Sequence, residues 1–96
     1  MASKVLTVPA GTSATYELSS SGLYVTPAVP LTIMVNPNGG TVTVTVKVTS
    51  GGTYQAVADG NLSGNITAVK MDVLKAPVYA IKFTAATQTA TIEIAQ

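Results

Sequence analysis

Residues 41–49 read TVTVTVKVT, and no other stretch limits the fold so tightly. Val42, Val44, Val46 and Val48 fall on even positions, and Thr41, Thr43, Thr45, Lys47 and Thr49 on odd ones. Successive side chains of a β-strand point to opposite faces, so this register makes one valine face and one hydroxylated face with a single charge. A helix would scatter the valines around its axis and crowd their β-branches. The segment is a strand that needs a core on one side only, and the rest of the chain has to supply it.

The same alternation recurs on both sides of that segment. Residues 4–8 set Leu6 and Val8 against Val5 and Thr7, and residues 12–19 set Ala14, Tyr16 and Leu18 against Thr15, Glu17 and Ser19. The Pro-Ala-Gly turn at 9–11 predicts that these two strands pair as neighbours. SSSG at 19–22 is a turn, and Pro27 and Pro30 reduce residues 23–29 to a short edge strand and a connection. Residues 31–36 turn Leu31, Ile33 and Val35 inward, and NPNGG at 36–40 supplies the asparagine and glycines that positive-φ turn positions favour, which predicts a tight hairpin into the valine strand.

Downstream, a strand is expected over 53–59 with Tyr54, Ala56 and Ala58 on one face, then a loop at 60–64. Residues 65–74 set Val69, Met71 and Val73 against Lys70 and Asp72, a period of two that reads as a strand, with a helix as the alternative. Residues 78–84, with Tyr79, Ile81 and Phe83 together, and 89–95, with Ala90, Ile92 and Ile94 inward, suit a terminal hairpin. About eight short strands with turn signals every 8–12 residues or so and no helix predict an all-β fold: a single-domain antiparallel β-sandwich, Ig-like or jelly-roll-like, over residues 1–96.

Composition excludes much chemistry. The chain has no histidine and no cysteine, so histidine-assisted nucleophiles, disulfides and imidazole or thiolate metal sites are out. Asp59-Gly-Asn61 starts like a calcium loop but lacks the acid that would finish one, and it reads better as a turn. Glu17 and Glu93 alternate with apolar residues inside strands, which places them on solvated outer faces and not about a hydrolytic cleft. The reading is a protein that is not an enzyme, with no catalytic residue, no metal and no cofactor.

Charged residues make up 9% of the chain against roughly a quarter in an ordinary domain, so Thr, Ser, Asn, Gln and Gly must cover its surface. Such a surface fits a protein that assembles. Five dispersed lysines against four carboxylates, with no arginine, argue against nucleic acid; no apolar run approaches the length of a membrane span; and the N-terminal MASKVLTVPAG does not read as a signal peptide. The Thr-rich face of the central strand is the first candidate contact surface: Thr41, Thr43, Thr45, Lys47 and Thr49. Tyr24 and Tyr54, near loops, join it, while Tyr16 and Tyr79 fall on core faces. Lys47, Lys70 and Lys82 within their strands act as gatekeepers against uncontrolled stacking.

The ending adds a resemblance. APVYAIKFT at 76–84, a short loop and TATIEIAQ at 89–96 resemble the close of many small virion-associated proteins of tailed bacteriophages, which end on a P-V-x-A-I-K/R-hydrophobic-T strand, a small-residue turn and a final alternating strand. The resemblance implies a structural component of the particle, a capsid decoration or head-associated protein, working as a homo-oligomer against the major capsid or another virion protein. It implies synthesis in the host cytoplasm and residence in the virion, and it brings no catalytic residues. The alternative reading is a carbohydrate-binding or adhesin-like sandwich module, with Tyr24 and Tyr54 contacting a glycan.

Overall fold

A computed structural model describes residues 3–17, 30–49, 51–57, 60–74 and 78–95. Eight strands appear in it: β1 (Ser3–Val8), β2 (Ser13–Glu17), β3 (Leu31–Asn36), β4 (Val42–Lys47), β5 (Gln55–Ala56), β6 (Lys70–Leu74), β7 (Ala80–Ala85) and β8 (Ala90–Ala95). Where the sequence alternates, burial alternates with it; along β3, Leu31, Ile33 and Val35 are buried and the residues between them are half-exposed.

The strands form two four-stranded antiparallel sheets. The front sheet has the order β1-β8-β3-β6 and the back sheet β2-β7-β4-β5. First pairs with last, second with seventh, third with sixth and fourth with fifth, as in a long antiparallel ribbon. The further ladders β3–β8 and β4–β7 fold that ribbon into two sheets. This is the strand order of a jelly-roll β-sandwich.

The core lies between the sheets. Val8, Leu31, Ile33, Val35, Ile92 and Ile94 come from the front sheet, and Tyr16, Val42, Val44, Ile81 and Phe83 from the back, all buried. Leu62 and Ile66 close one flank. They are needed because β5 pairs only with Thr45 and Val46 of β4. Nearer the start of β4, Ile66 substitutes for the absent strand: its N–H donates to the Val42 carbonyl at 2.8 Å and its carbonyl accepts from the Val42 N–H at 3.0 Å.

Three predicted pairings do not form. β1 and β2, β3 and β4, and β7 and β8 each lie in opposite sheets, so the connections at 9–12, 37–41 and 86–89 are arches across the core and not hairpins. Alternation fixes which side chains face the core, but a strand beside its neighbour and a strand across from it show the same pattern. Four or five connecting residues are enough to cross the spacing of about 10 Å between packed sheets.

The turn chemistry itself is as expected. Asn38 has φ +52° and Gly39 +90°, the Asn38 N–H donates to Asn36 Oδ1 at 3.0 Å, and the Gly40 N–H donates to the Pro37 carbonyl at 3.0 Å.

Smaller departures concern strand ends and faces. The central strand stops at Lys47, leaving Val48 69% exposed and outside the valine face. Of the strand expected over 53–59, the described residues 53–57 hold two strand residues, Gln55–Ala56, and Ala56 is exposed; Ala58 lies outside the described residues. The strand expected over 65–74 begins at Lys70, and Met71 and Val73 point away from the core. Tyr79 is half-buried at the start of its segment and not in the core. The strand expected at 23–29, the turn at 19–22, Tyr24, Leu18 and Asp59 lie outside the described residues.

Candidate functional site

The two outer faces of the sandwich differ in chemistry, and register defines each of them. On the back sheet, one row runs Ser13–Thr84–Thr43 and the next Thr15–Lys82–Thr45–Ala56, followed by Glu17–Ala80–Lys47. Hydroxyls dominate, and Ser13 Oγ and Thr84 Oγ1 share a hydrogen bond of 2.8 Å. Thr43, Thr45 and Lys47 of the predicted ridge therefore stand together on this face. Thr41 is half-buried in an arch, where its carbonyl accepts from the Ala86 N–H at 2.9 Å, and Thr49 is exposed in the turn after the strand.

Tyr54 joins that face. Lys82 Nζ lies 4.5 Å and Lys47 Nζ 5.1 Å from the centroid of its ring, and Lys47 Nζ is also 5.3 Å from the ring of Tyr79. Ammonium groups over an aromatic face are held by the ring quadrupole. A sugar stacking on Tyr54 would have to displace them. Ala80, outward by parity, is fully buried in the row between Glu17 and Lys47, which puts it beneath longer side chains.

The front sheet is of another kind. Its rows run Val5–Glu93–Met34–Met71 and Ser3–Ala95–Thr32–Val73 across all four strands. Val5 is 62% exposed, Met71 55% and Val73 40%. A row of large side chains beside a row of small ones leaves a groove of about 290 Å³, lined by Val5, Met34 and Met71, by Ser3, Thr32, Ile94 and Ala95, and by the charged residues Lys4 and Glu93. Glu93 supplies the charge in these rows, because Lys4, Lys70 and Asp72 occupy core-side positions in the register, opposite Ile94, Val35 and Ile33.

Asp72 explains why β6 carries its apolar side outward. Its Oδ2 accepts from the Asn61 N–H at 2.9 Å and its Oδ1 from the Val73 N–H at 2.8 Å, while Asn61 Nδ2 donates to the Met71 carbonyl at 2.9 Å. The carboxylate thus fastens the turn at 60–64 to the strand. That turn delivers Leu62 to the core, and Met71 and Val73 are left outside.

A third surface is the end where the arches meet. The Gly11 N–H donates to the Ala85 carbonyl at 2.9 Å, and Asn38 Nδ2 donates to the Thr89 carbonyl at 2.8 Å. The arches read PAGT, PNGGT and ATQT, with no formal charge. Glu17 and Glu93 sit on outer faces of opposite sheets, so they do not flank one cleft.

The sequence alternation gives the outward row of the central strand on the back face but not the front face, whose rows depend on the pairing of β1 with β8 and of β3 with β8 and β6. The chain was compared with protein-family models, curated proteins and solved structures, and nothing in the three sets matches it.

Proposed function

We propose that this chain is a structural virion subunit, a capsid decoration or head-associated protein, that acts by protein–protein contact as a homo-oligomer. One observation carries the reading: the front face of the sandwich sets exposed Val5 and Met71 and half-buried Met34 along one groove, with exposed Val73 in the adjoining row. Contiguous apolar surface on a monomer is small as a rule, and a larger patch rimmed by polar residues marks a place of contact. The low charge of the whole chain and the phage-like ending at 76–96 support the same reading. Jelly rolls serve as capsid and lectin domains alike, so the fold permits the role without choosing it.

The test is incorporation. Mass spectrometry of purified phage particles should detect the chain. A Met34→Lys, Met71→Lys variant should fold and yet be depleted from them. Absence of the wild-type chain from particles would overturn the proposal.

A further inference from the structure

We propose that two copies of this chain pair edge to edge through β1, antiparallel about a two-fold axis at Val5, so that their front sheets join into one continuous sheet. This rests on the homo-oligomer part of the reading above and names its contact.

The direction of the hydrogen bonds shows which backbone groups of the front sheet are open. In an antiparallel sheet the N–H and C=O of successive residues point to one neighbouring strand and then the other. The Thr89 carbonyl accepts from Asn38 Nδ2, in the arch that continues β3, so odd-numbered residues of β8 face β3 and even-numbered ones face β1. Across the β1–β8 register, Lys4, Leu6 and Val8 therefore bond to Ile94, Ile92 and Ala90, and the N–H and C=O groups of Ser3, Val5 and Thr7 point off the sheet. The far edge agrees: the Met71 carbonyl accepts from Asn61 Nδ2 and the Val73 N–H donates to Asp72 Oδ1, so residues 71 and 73 face away from β3.

Those same bonds mean that the two edges are finished differently. Side chains of Asn61 and Asp72 cap β6. No such cap covers β1: among the described residues nothing bonds to the outward groups of Ser3, Val5 and Thr7, and all three residues are exposed. An uncovered edge of this kind is a template for another strand. On the back sheet, β5 holds two residues, and β2 presents Ser13, Thr15 and Glu17 outward, so pairing there would bury no large apolar side chain. Val5 at the middle of β1 is 62% exposed.

A second copy fits this edge in one register. The axis must pass through an odd-numbered residue, because the groups of the even-numbered ones are already bonded to β8. Centring on Thr7 would bring Pro9, which has no N–H, opposite Val5. Centring on Val5 sets Val5 against Val5 and Ser3 against Thr7, and pairs every outward N–H and C=O of the three residues. Apolar and hydroxyl side chains then meet their own kind, which is favourable across strands. Charges do not oppose the match. Lys4 falls opposite Leu6 of the second copy, and its exposed side chain leans toward Tyr16, with Nζ 5.9 Å from the ring centroid. The two Glu93 carboxylates stand three strand spacings apart, about 14 Å, beyond the screening length of about 8 Å at physiological salt.

Sedimentation equilibrium and amide hydrogen exchange of the full chain test the contact. Wild type should gain mass toward a dimer with concentration. Protection of the Val5 N–H should rise with it, while the Leu6 N–H, bonded to β8, stays protected at every concentration. Val5→Pro removes an outward donor and no bond to β8, so it should fold and lose association by about tenfold or more. Thr15→Pro, the matching change on the β2 edge, should associate like wild type. Val5→Lys and Val5→Glu should each weaken association about fivefold, since like charges meet at the axis, and an equimolar mixture should recover it as a heterodimer.

Edge pairing is overturned by a wild type that stays monomeric, by association that leaves Val5 exchange unchanged, by loss of association in Thr15→Pro but not in Val5→Pro, or by charged variants whose mixture fails to recover. The charged pair decides the matter if Val5→Pro does not fold. Particle incorporation is read separately: a monomeric chain found in particles would keep the virion reading without this dimer, and a dimer through β1 absent from particles would do the reverse.

Discussion

The outer faces of the two sheets are built on the same plan and have opposite characters. The back face is hydroxyl and charged, over Thr15, Thr43, Thr45, Thr84, Glu17, Lys47 and Lys82; the front face is aliphatic and thioether over Val5, Met34, Met71 and Val73. Both back onto one core. The difference lies with the edge strands. β3 and β8 alternate apolar inward and mostly polar outward, much as the back sheet does, whereas β1 and β6 put Lys4, Lys70 and Asp72 inward and valine or methionine outward. A solvated edge position tolerates an inward charge, and the apolar residues displaced from it create the exposed apolar face.

The two faces back onto one core, so the two sheets share their stability. Phe83→Ala, from the back sheet, should cost about 3–5 kcal/mol and Ile33→Ala, from the front sheet, about 2–5 kcal/mol, since both residues are fully buried. Urea unfolding gives the magnitude. Hydrogen exchange gives the scope: protection should fall together in both sheets for either variant, and a loss confined to one sheet would mean that the faces belong to separable units.

Next comes the device that holds β6 in its inverted register. A Cβ at Gly60 would collide with the Asp72 carboxylate, and φ there is +81°, so Gly60→Ala should cost about 1–3 kcal/mol. Asp72→Ala removes the acceptor for the Asn61 and Val73 N–H groups and should cost about 1–2 kcal/mol. Gly39→Ala, at φ +90° with open space around it, isolates the backbone term. Equal thermal stabilities for Gly60→Ala and Gly39→Ala would show that the collision with Asp72 adds nothing to the backbone cost.

How far the sequence reveals this architecture follows from the same physics. Period-two alternation gives strand type and core parity for 31–36, 42–47, 80–85 and 90–95, because a buried face and a wet face need different residues. It does not give sheet membership. Pro9-Ala-Gly11 and Pro37-Asn-Gly-Gly40 carry turn chemistry that serves a hairpin or an arch equally, and only long-range pairing such as Val8 with Ala90 decides. Thr43, Thr45 and Lys47 were legible as an outer ridge from their own strand. The front face was not, because it is assembled from β1, β8, β3 and β6, whose neighbourhood no local pattern records. The burial of Leu62 and Ile66 was hidden for the same reason, both lying on a segment read as a loop and a strand start.

A matched pair of lysine substitutions separates the faces with little effect on stability. Met34→Lys with Met71→Lys on the front, and Thr43→Lys with Thr45→Lys on the back, should each change unfolding free energy by about 0.5–1 kcal/mol, as outward positions do. Hydrophobic-dye fluorescence should fall for the front pair and stay level for the back pair. Assembly should suffer in both: the front pair removes the apolar walls, and the back pair adds cations beside Lys82, the register partner of Thr45. Normal assembly by the back pair would reduce that ridge to a solvated face.

The smallest expected effect tests what orders the back face. Lys82 and Lys47 converge on the ring of Tyr54 at 4.5 Å and 5.1 Å, although β5 beside it is only two residues long. If the ring quadrupole is the attraction, Tyr54→Phe should preserve stability, while Tyr54→Leu, of similar bulk and without a ring, should lose about 0.5–1 kcal/mol. Added salt should narrow that gap, because the lysine charges are partly solvated and screening acts on them. Equal losses for Phe and Leu would assign the contact to the hydroxyl. No loss for either would mean that the lysines order this face without the aromatic.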